Sequence, residues 1–288
     1  MTGILLIAIG HGNYAKMAST LACSIRANGI DLPIALVHDA NTYKHITDEY
    51  RAFFSEFIAI PDECITLGDK TCYIKAKSHM YDLTPFDSTL FLDVDIVATN
   101  NGRLAEVIKE LEGVNFAVKN SGMTTFASAP EGHKQWAVLD EVREAYQLDA
   151  DAEVWNVHSE FIFWQQDSEN RVLFDAWRDN FTNLRVKPIE FGGCIPDELP
   201  LWIAMSQQKR KPHMTPYLPT YWPFDSKERL RLRDLTEYAG VSIGGAVINE
   251  VQKNNYDLLA QIHSKRMNVR HVYKCENKKR WEATRHTI

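Results

Sequence analysis

The chain has few of the features that indicate disulfide frameworks, metal–thiolate clusters or membrane spans. It contains five cysteines among 288 residues, an odd number without close paired spacing, which indicates reduced thiols. No apolar run approaches the roughly 18 residues of a transmembrane helix. The apolar start, residues 1–9, is short and lacks the basic region of a signal peptide. We therefore expect no membrane span and a cytoplasmic location.

The chain also lacks a basic excess and the common nucleotide-binding fingerprints. Its formal net charge is −6 and its pI about 5.9, a balance that disfavours nucleic acids and anionic membranes as partners. The loop Gly10-His11-Gly12-Asn13-Tyr14 follows the first apolar run, but it matches neither a dinucleotide fingerprint nor a phosphate-binding P-loop. The sequence therefore disfavours a Rossmann dehydrogenase or a P-loop kinase.

Apolar runs and amphipathic segments alternate along the chain, which predicts an α/β fold. Strand 4–9, the loop 10–14, helix 15–28 and strand 33–39 form the start of a parallel sheet. Ligands of such sheets bind at the carboxyl ends of the strands, so this loop and His38-Asp39 are expected to line one crevice. The further predicted elements are helix 50–57, strand 57–60, helix 74–83, strand 89–97, helix 103–111, strand 114–118, loop 119–135, helix 135–146, strand 155–164, helix 170–181 and helix 199–207.

The predicted strand 89–97 contains two carboxylates, Asp93 and Asp95, in an otherwise apolar run. If the backbone stays extended, both side chains lie on one face, where their mutual repulsion calls for a divalent cation. Alternatively, the strand ends at Asp93, Asp95 begins a turn, and both carboxylates are solvated or cap a helix. The residues alone leave both interpretations open.

A second acidic pair, Asp197 and Glu198, opens the predicted helix 199–207. Acids in a first turn suit the helix dipole, so capping explains this pair as well as a functional role does.

The order of features from Lys77 to Val97 resembles that of GT-A fold glycosyltransferases, and among them the glycogenin-like, family 8 type of retaining transferases. That family has a lysine-bearing helix, a turn, and then an apolar strand that ends in Asp-x-Asp. The resemblance covers most of residues 4–270. It implies a mixed, mostly parallel central sheet flanked by helices, in a single compact domain.

The resemblance implies a set of ligands for a nucleotide-sugar and its metal. Asp93 and Asp95 would hold Mn²⁺ (or Mg²⁺) against the diphosphate of a donor of the UDP-sugar type, with Asp93 also near the ribose. His263 resembles the late histidine that completes the metal site. Lys265 and Arg266 would supply the positive charge that the family takes from a Lys-Pro-Trp sequence, which is missing here.

Further contacts follow from the same resemblance. The loop after the first strand holds uridine in the family, which makes Ile9, His11 and Tyr14 candidate nucleotide contacts. Lys77 would meet the nucleotide-sugar and, with Asp197 and Glu198, forms the candidate catalytic set.

This chain departs from the family pattern at two places that contact the donor sugar. The family's Asn-Ser-Gly reads His158-Ser159-Glu160 here, and its Gly-Asp-Gln reads Pro196-Asp197-Glu198, so that Glu198 replaces the glutamine.

We therefore predict a GT-A glycosyltransferase domain over residues 1–275, with a nucleotide-binding half at 1–118, a sugar and acceptor half at 119–275, and a basic tail at 276–288. The expected reaction is metal-dependent transfer of a sugar, hexosyl or pentosyl, from a nucleotide-diphosphate donor with retention. The alternatives are a sugar nucleotidyltransferase, which the loop 10–14 disfavours because it has no basic residue, and an inactive nucleotide-sugar-binding module. The acceptor could be a glycan, a protein or a modified nucleic acid.

Overall fold

The structure is a computed structural model, in which we describe residues 1–98, 102–191, 193–214, 218–221 and 238–242. Two compact units are present. The N-terminal unit contains residues 2–59, 91–113 and the described strands after residue 214, whereas the central unit contains residues 60–90 and 114–214.

The described strands are β1 (Thr2–Ala8), β2 (Ile34–His38), β3 (Glu56–Ala59), β4 (Thr66–Leu67), β5 (Lys70–Thr71), β6 (Ser88–Leu92), β7 (Ile96–Ala98), β8 (Phe116–Thr125), β9 (Glu153–Gln165), β10 (Leu218–Tyr221) and β11 (Tyr238–Ser242). The described α-helices are α1 (Gly12–Ala27), α2 (Ala40–Tyr43), α3 (Asp48–Arg51), α4 (Met80–Leu83), α5 (Arg103–Glu110), α6 (Leu139–Tyr146), α7 (Ser168–Thr182) and α8 (Glu198–Gln207). Two 3-10 helices span Asp62–Cys64 and Tyr73–His79. The main sheet has six strands in the order β3-β2-β1-β6-β9-β8.

The N-terminal unit is built on parallel pairing. β1 pairs with β2 and β2 with β3 in parallel, so that Ile4 lies opposite Ile34 and Leu36 opposite Phe57. The apolar residues of β1 are buried, as are Ala18 and Leu21 of α1. This part of the fold follows directly from the apolar runs, because strands of a parallel sheet are covered on both faces.

The central unit combines an antiparallel strand pair with helices. β8 and β9 pair along most of their length, and β9 ends in a buried run that includes Trp164. Phe174 of α7 packs between Trp164 and Trp177, at ring-centroid distances of 5.0 and 5.5 Å. The eight residues Leu199–Ser206 of α8 are all buried, which makes α8 a core helix.

The predicted mixed, mostly parallel α/β sheet is confirmed, but several segments differ from expectation. The predicted helix 50–57 is only the short α3, which ends at Arg51, and Phe57 lies in β3. The predicted strand 89–97 is interrupted by a turn at Asp93–Asp95, between β6 and β7. The predicted helix 74–83 is a 3-10 helix followed by the short α4. Residues 119–125, predicted as a loop, continue β8, because their polar side chains lie on a strand that is only partly buried.

The prediction of reduced thiols was wrong for at least three of the five cysteines, because Cys23, Cys72 and Cys194 are disulfide-bonded. Cys72 and Cys194 form a disulfide across 122 residues, with their Cα atoms 6.2 Å apart. Spacing along the chain could not reveal this pair, because the fold and not the local sequence brings the two residues together. The argument for a cytoplasmic location that relied on reduced thiols therefore fails.

None of the described helices has the length and apolarity to cross a membrane.

Candidate functional site

The Asp93–Asp95 turn connects β6 to β7 in the N-terminal unit. The backbone N–H of Ile96 donates to the Asp93 carbonyl at 3.1 Å, which closes the turn, and Val94 between the two acids is buried. Both carboxylates are partly exposed, and the N–H of Val94 lies 3.2 Å from Asp93 Oδ1. The extended backbone that would place both acids on one strand face is therefore wrong. Two carboxylates in one tight turn still offer the oxygen donors that Mn²⁺ and Mg²⁺ prefer.

The loop after β1 contacts the end of β2, as the parallel topology predicts. The N–H of Gly10 donates to Asp39 Oδ2 at 2.6 Å, and Asn41 Nδ2 donates to the Gly10 carbonyl at 2.9 Å. Burial alone would raise the pKa of Asp39, but hydrogen bonds from the backbone of Gly10 and from Thr42 outweigh it and lower this pKa. Asp39 is therefore an anionic group fixed beside the loop, and sequence reasoning gave it no role of its own.

The three predicted nucleotide contacts in this loop differ in accessibility. Ile9 is 6% exposed, so only its backbone is available to a ligand, whereas His11 is exposed and Tyr14 partly so. His11 also caps α1, because its Nδ1 accepts a hydrogen bond from the N–H of Asn13 at 3.2 Å. Capping is thus a sufficient structural reason for this histidine, and its contact with a nucleotide stays a prediction.

In the central unit, a group that we name the acid–lysine cluster brings together the three predicted catalytic residues. It consists of Lys77, Ser159, Asp197 and Glu198. Lys77 Nζ lies 3.3 Å from Asp197 Oδ2 and donates to Ser159 Oγ at 3.1 Å. Ser159 Oγ lies 3.5 Å from Glu198 Oε1. Sequence reasoning did not assign Ser159 a role of its own, although it is the one residue of His158-Ser159-Glu160 that matches the family's Asn-Ser-Gly.

Asp197 immediately precedes α8, yet its side chain does not act as a helix cap toward any described N–H. Its carboxylate is instead 6% exposed and directed toward Lys77, and no described group donates a hydrogen bond of good geometry to Oδ2. The backbone is held by Trp177, whose indole N–H donates to the Asp197 carbonyl at 3.0 Å. The capping explanation therefore does not account for Asp197.

Glu198 is surrounded by protein atoms and retains only a small accessible area. Burial, together with the charge of Asp197, raises the pKa of Glu198 to about 8, although Lys77 opposes this shift. The carboxyl group is thus mainly neutral at pH 7, and it can donate a hydrogen bond as an amide would. This is a physical counterpart of the glutamine that the resembling family has at this place.

A bulge in β9 positions Ser159. Adjacent residues of β8, Val118 and Lys119, are in register with Ile162 and His158, so that residues 159–161 fall outside the backbone register of the two strands. Bulges of this kind redirect side chains next to functional sites. Lys119 and Glu160 form an ion pair there, and both side chains are mostly buried.

The remaining predicted residues lie elsewhere in the chain. His263, Lys265 and Arg266 are outside the described residues, so their roles stay predictions. Among the described residues, no group of three or more His, Cys, Asp or Glu side chains is arranged to hold a metal ion. The roles of Asp93 and Asp95 as metal ligands, and the metal itself, therefore stay predictions.

No protein-family model matches the chain, and no curated protein matches its sequence. Solved structures match its fold. The apo bifunctional glycosyltransferase WbbM aligns with a TM-score of 0.56 at 10% identity, over 85% of this chain and 46% of that one, so that the chain spans less than half of WbbM. Mouse xyloside xylosyltransferase 1 gives 0.52 at 11% identity, over 85% and 99%. Galactosyltransferase LgtC, solved with donor and acceptor sugar analogs, gives 0.51 at 13% identity, over 85% and 88%. The chain therefore has the GT-A fold of these glycosyltransferases.

Proposed function

We propose that the chain is a metal-dependent glycosyltransferase that moves a sugar from a nucleotide-diphosphate donor, of the UDP-sugar type, to an acceptor with retention. The observation that carries the proposal is the acid–lysine cluster, a buried carboxylate and a neutral carboxyl group beside a lysine and a serine. The fold shared with solved glycosyltransferases supports it, because one of them, LgtC, was solved with donor and acceptor sugar analogs.

In this proposal the turn acids bind the metal. Asp93 and Asp95 would hold Mn²⁺ or Mg²⁺, with His263 as a further ligand, and Lys265 and Arg266 would add positive charge. When bound, such an ion supplies Lewis-acid stabilisation of the diphosphate leaving group. The loop 10–14 would contact the nucleotide, and Asp39 can accept a hydrogen bond from a ribose or base N–H or O–H.

The acid–lysine cluster would act on the donor sugar. Asp197 can accept a hydrogen bond from a sugar hydroxyl through Oδ2, and its negative charge stabilises the positive charge that develops at the anomeric carbon as the glycosidic bond breaks. Lys77, with its Nζ 3.3 Å from Oδ2, orients the Asp197 carboxylate. Glu198, in its neutral form, can donate a hydrogen bond to a donor oxygen.

Calorimetry with UDP, with and without Mn²⁺, tests the metal-dependent part. We expect UDP to bind at least tenfold more tightly with Mn²⁺, and Asp95→Asn to remove that gain. Asp48→Asn is the matched control, because Asp48 is an exposed acid of the same unit. Binding that is indifferent to Mn²⁺ and unchanged in Asp95→Asn would contradict the assignment.

Donor hydrolysis without acceptor tests the catalytic part. Wild-type protein incubated with a panel of radiolabelled UDP-sugars should release free sugar slowly, and Asp197→Asn should reduce this rate by about 100-fold, the scale of losing one transition-state contact. Asp149→Asn, at an exposed acid, should leave it unchanged. Donor binding without any hydrolysis would identify an inactive module, and pyrophosphate release from a nucleoside triphosphate and a sugar phosphate would identify a nucleotidyltransferase.

A further inference from the structure

Two tight turns of the central unit place an aromatic pair at the surface. Trp136 lies at the tip of a turn closed by the bridge between Lys134 and Val138, and Phe191 begins a turn closed against Cys194. The two rings meet edge to face, with centroids 6.1 Å apart and planes at 69°. Phe191 is 53% exposed, so the pair is accessible to a ligand.

Trp136 adopts a backbone conformation that a bulky side chain rarely takes, with φ of 63°. Left-handed backbone is unfavourable for a residue with a Cβ atom. It persists only where the surroundings fix it, and such positions concentrate at ligand sites. Here the Trp136 carbonyl accepts a hydrogen bond from the N–H of Ile189 at 2.7 Å, which ties the turn to the segment that carries Phe191.

A row of uncharged polar side chains runs from the residue next to Trp136 along the edge of β8 and β9. We name Gln135, Asn156, Ser121 and His158 the polar row. Gln135 Nε2 donates to Asn156 Oδ1 at 3.2 Å, Asn156 Nδ2 donates to Ser121 Oγ at 2.6 Å, and His158 Nε2 lies 3.1 Å from the same hydroxyl. These bonds orient groups that retain further donor and acceptor capacity.

The charge of this face is as informative as its shape. The pKa of His158 is lowered, first by burial and then by the charge of Lys119, so its imidazole is neutral at pH 7. Lys119 in turn is ion-paired with Glu160. The polar row therefore presents amide, hydroxyl and imidazole groups and no full charge. A phosphate-rich or strongly ionic ligand would meet no charged partner in this row.

Aromatic rings beside uncharged hydrogen-bonding groups match the chemistry of a sugar ring, which has apolar C–H faces and neutral hydroxyls. We infer that the aromatic pair and the polar row together bind an uncharged sugar of the acceptor, which is therefore a glycan and not a nucleic acid. This inference rests on the proposed function, since it names the acceptor of that reaction. Both parts of this surface are close in sequence to the acid–lysine cluster. His158 of the polar row precedes Ser159, and Phe191 of the aromatic pair lies six residues before Asp197.

Saturation-transfer NMR with methyl glycosides of glucose, galactose, mannose, xylose and N-acetylglucosamine tests the inference without donor, metal or turnover. At least one of these glycosides should receive saturation from the wild-type protein. Phe191→Ala should weaken its binding at least tenfold, and Asn156→Asp, which adds a charge to the polar row, should do the same. Val172→Ala is the control, because Val172 is an exposed apolar residue on α7. A melting scan of each variant verifies folding.

The outcomes separate this inference from the proposed function. If UDP binds with Mn²⁺ but no glycoside binds, or if Phe191→Ala and Asn156→Asp bind the glycoside as the wild type does, the acceptor face is wrong. An oligonucleotide that competes with the glycoside for binding to the same residues would also overturn the inference. If the glycoside binds and both variants lose it while no nucleotide-sugar binds, the sugar face stands and the proposed transferase activity fails.

Discussion

Glu198 shows how the surroundings of one side chain set its chemistry. Its carboxyl group is enclosed by protein and faces the charge of Asp197, so the folded chain favours the protonated form. An amide at the same position would carry N–H donors at every pH, whereas a carboxyl group donates only when it is protonated. A glutamate there makes that hydrogen bond dependent on pH.

We predict that Glu198→Gln becomes progressively more stable than the wild type as pH rises from about 4.5 to about 8. The folded pKa of about 8 lies above the ordinary value of 4.5, so the stability that this carboxyl contributes is complete below pH 4.5 and is lost as pH rises through the folded pKa. The difference in melting temperature between variant and wild type, measured across this range, should grow and then level off.

Glu144→Gln on α6 controls for the removal of one negative charge at an exposed position. A difference between Glu198→Gln and wild type that grew toward acidic pH would show that the carboxyl is stabilised in its charged form, against the geometry of the cluster.

At the scale of secondary-structure elements, α7 is fixed at its start by Asp167. The Asp167 carboxylate accepts a hydrogen bond from the N–H of Asn170 at 2.8 Å and from Asn115 Nδ2 at 2.8 Å. α3 provides a contrast, because its N-cap residue, Thr47, makes no side-chain hydrogen bond to the described backbone of that helix.

We predict that Asp167→Ala lowers the free energy of unfolding by about 1–2 kcal/mol, the usual cost of losing an N-cap. Thr47→Ala should change it by less than about 0.5 kcal/mol, as expected for a surface substitution away from such features. Urea unfolding followed by circular dichroism measures both. If both variants lost the same free energy of unfolding, the hydrogen bonds of Asp167 at the start of α7 would contribute nothing measurable to stability.

The sequence predicted elements well where apolar side chains recur along the chain. β1, α1 and β2 lie within a few residues of their expected bounds, because burial on both sides leaves few alternatives for such runs. Residues 119–125 were missed because Ser121 and Gly122 are typical of loops, whereas pairing of the flanking residues Asn120 and Met123 with β9 keeps the segment in a strand. Local composition does not contain that tertiary pairing.

The candidate site was predictable only in part. Asp197 and Glu198 were identified through a resemblance, and their residue types alone fitted helix capping equally well. Ser159 and the ion pair of Lys119 with Glu160 depend on the bulge in β9, which has no recognisable signal in one sequence. At Asp93–Asp95 the sequence left an extended strand and a turn both open, because the apolar residues on either side fit both, and the structure has the turn.

At the scale of the whole molecule, the Cys72–Cys194 disulfide limits the unfolded chain more than it adds contacts to the folded one. It closes a segment across 122 residues of sequence. It also connects the start of the 3-10 helix that carries Lys77 with the segment that leads to Asp197. Loop-closure entropy for segments of this length corresponds to roughly 4–5 kcal/mol in the chain-entropy account.

We predict that the double variant Cys72→Ser with Cys194→Ser loses about 2–4 kcal/mol of unfolding free energy, since measured losses are usually smaller than the entropy limit. Dithiothreitol should destabilise the wild type by at least a similar amount and the double variant by less, because Cys23 is disulfide-bonded in both. Cys64→Ala, at a buried free thiol, is the control for losing a sulfur atom. Dithiothreitol should destabilise this variant by the same amount as the wild type. The account would be contradicted if unfolding of the wild type were insensitive to the reductant and Cys72 and Cys194 reacted as free thiols.

The bulge in β9 has a consequence for how this protein could change over evolutionary time. Residues 159–161 lie outside the pairing with β8, while pairing resumes at Ile162, and the buried run Phe161–Trp164 remains in the core. In a regular strand, inserting or deleting one residue turns every following side chain to the opposite face. A bulge absorbs such a change locally. A change of length or of side chain at residues 159–160 can therefore leave the register of the strand from Ile162 onward unchanged.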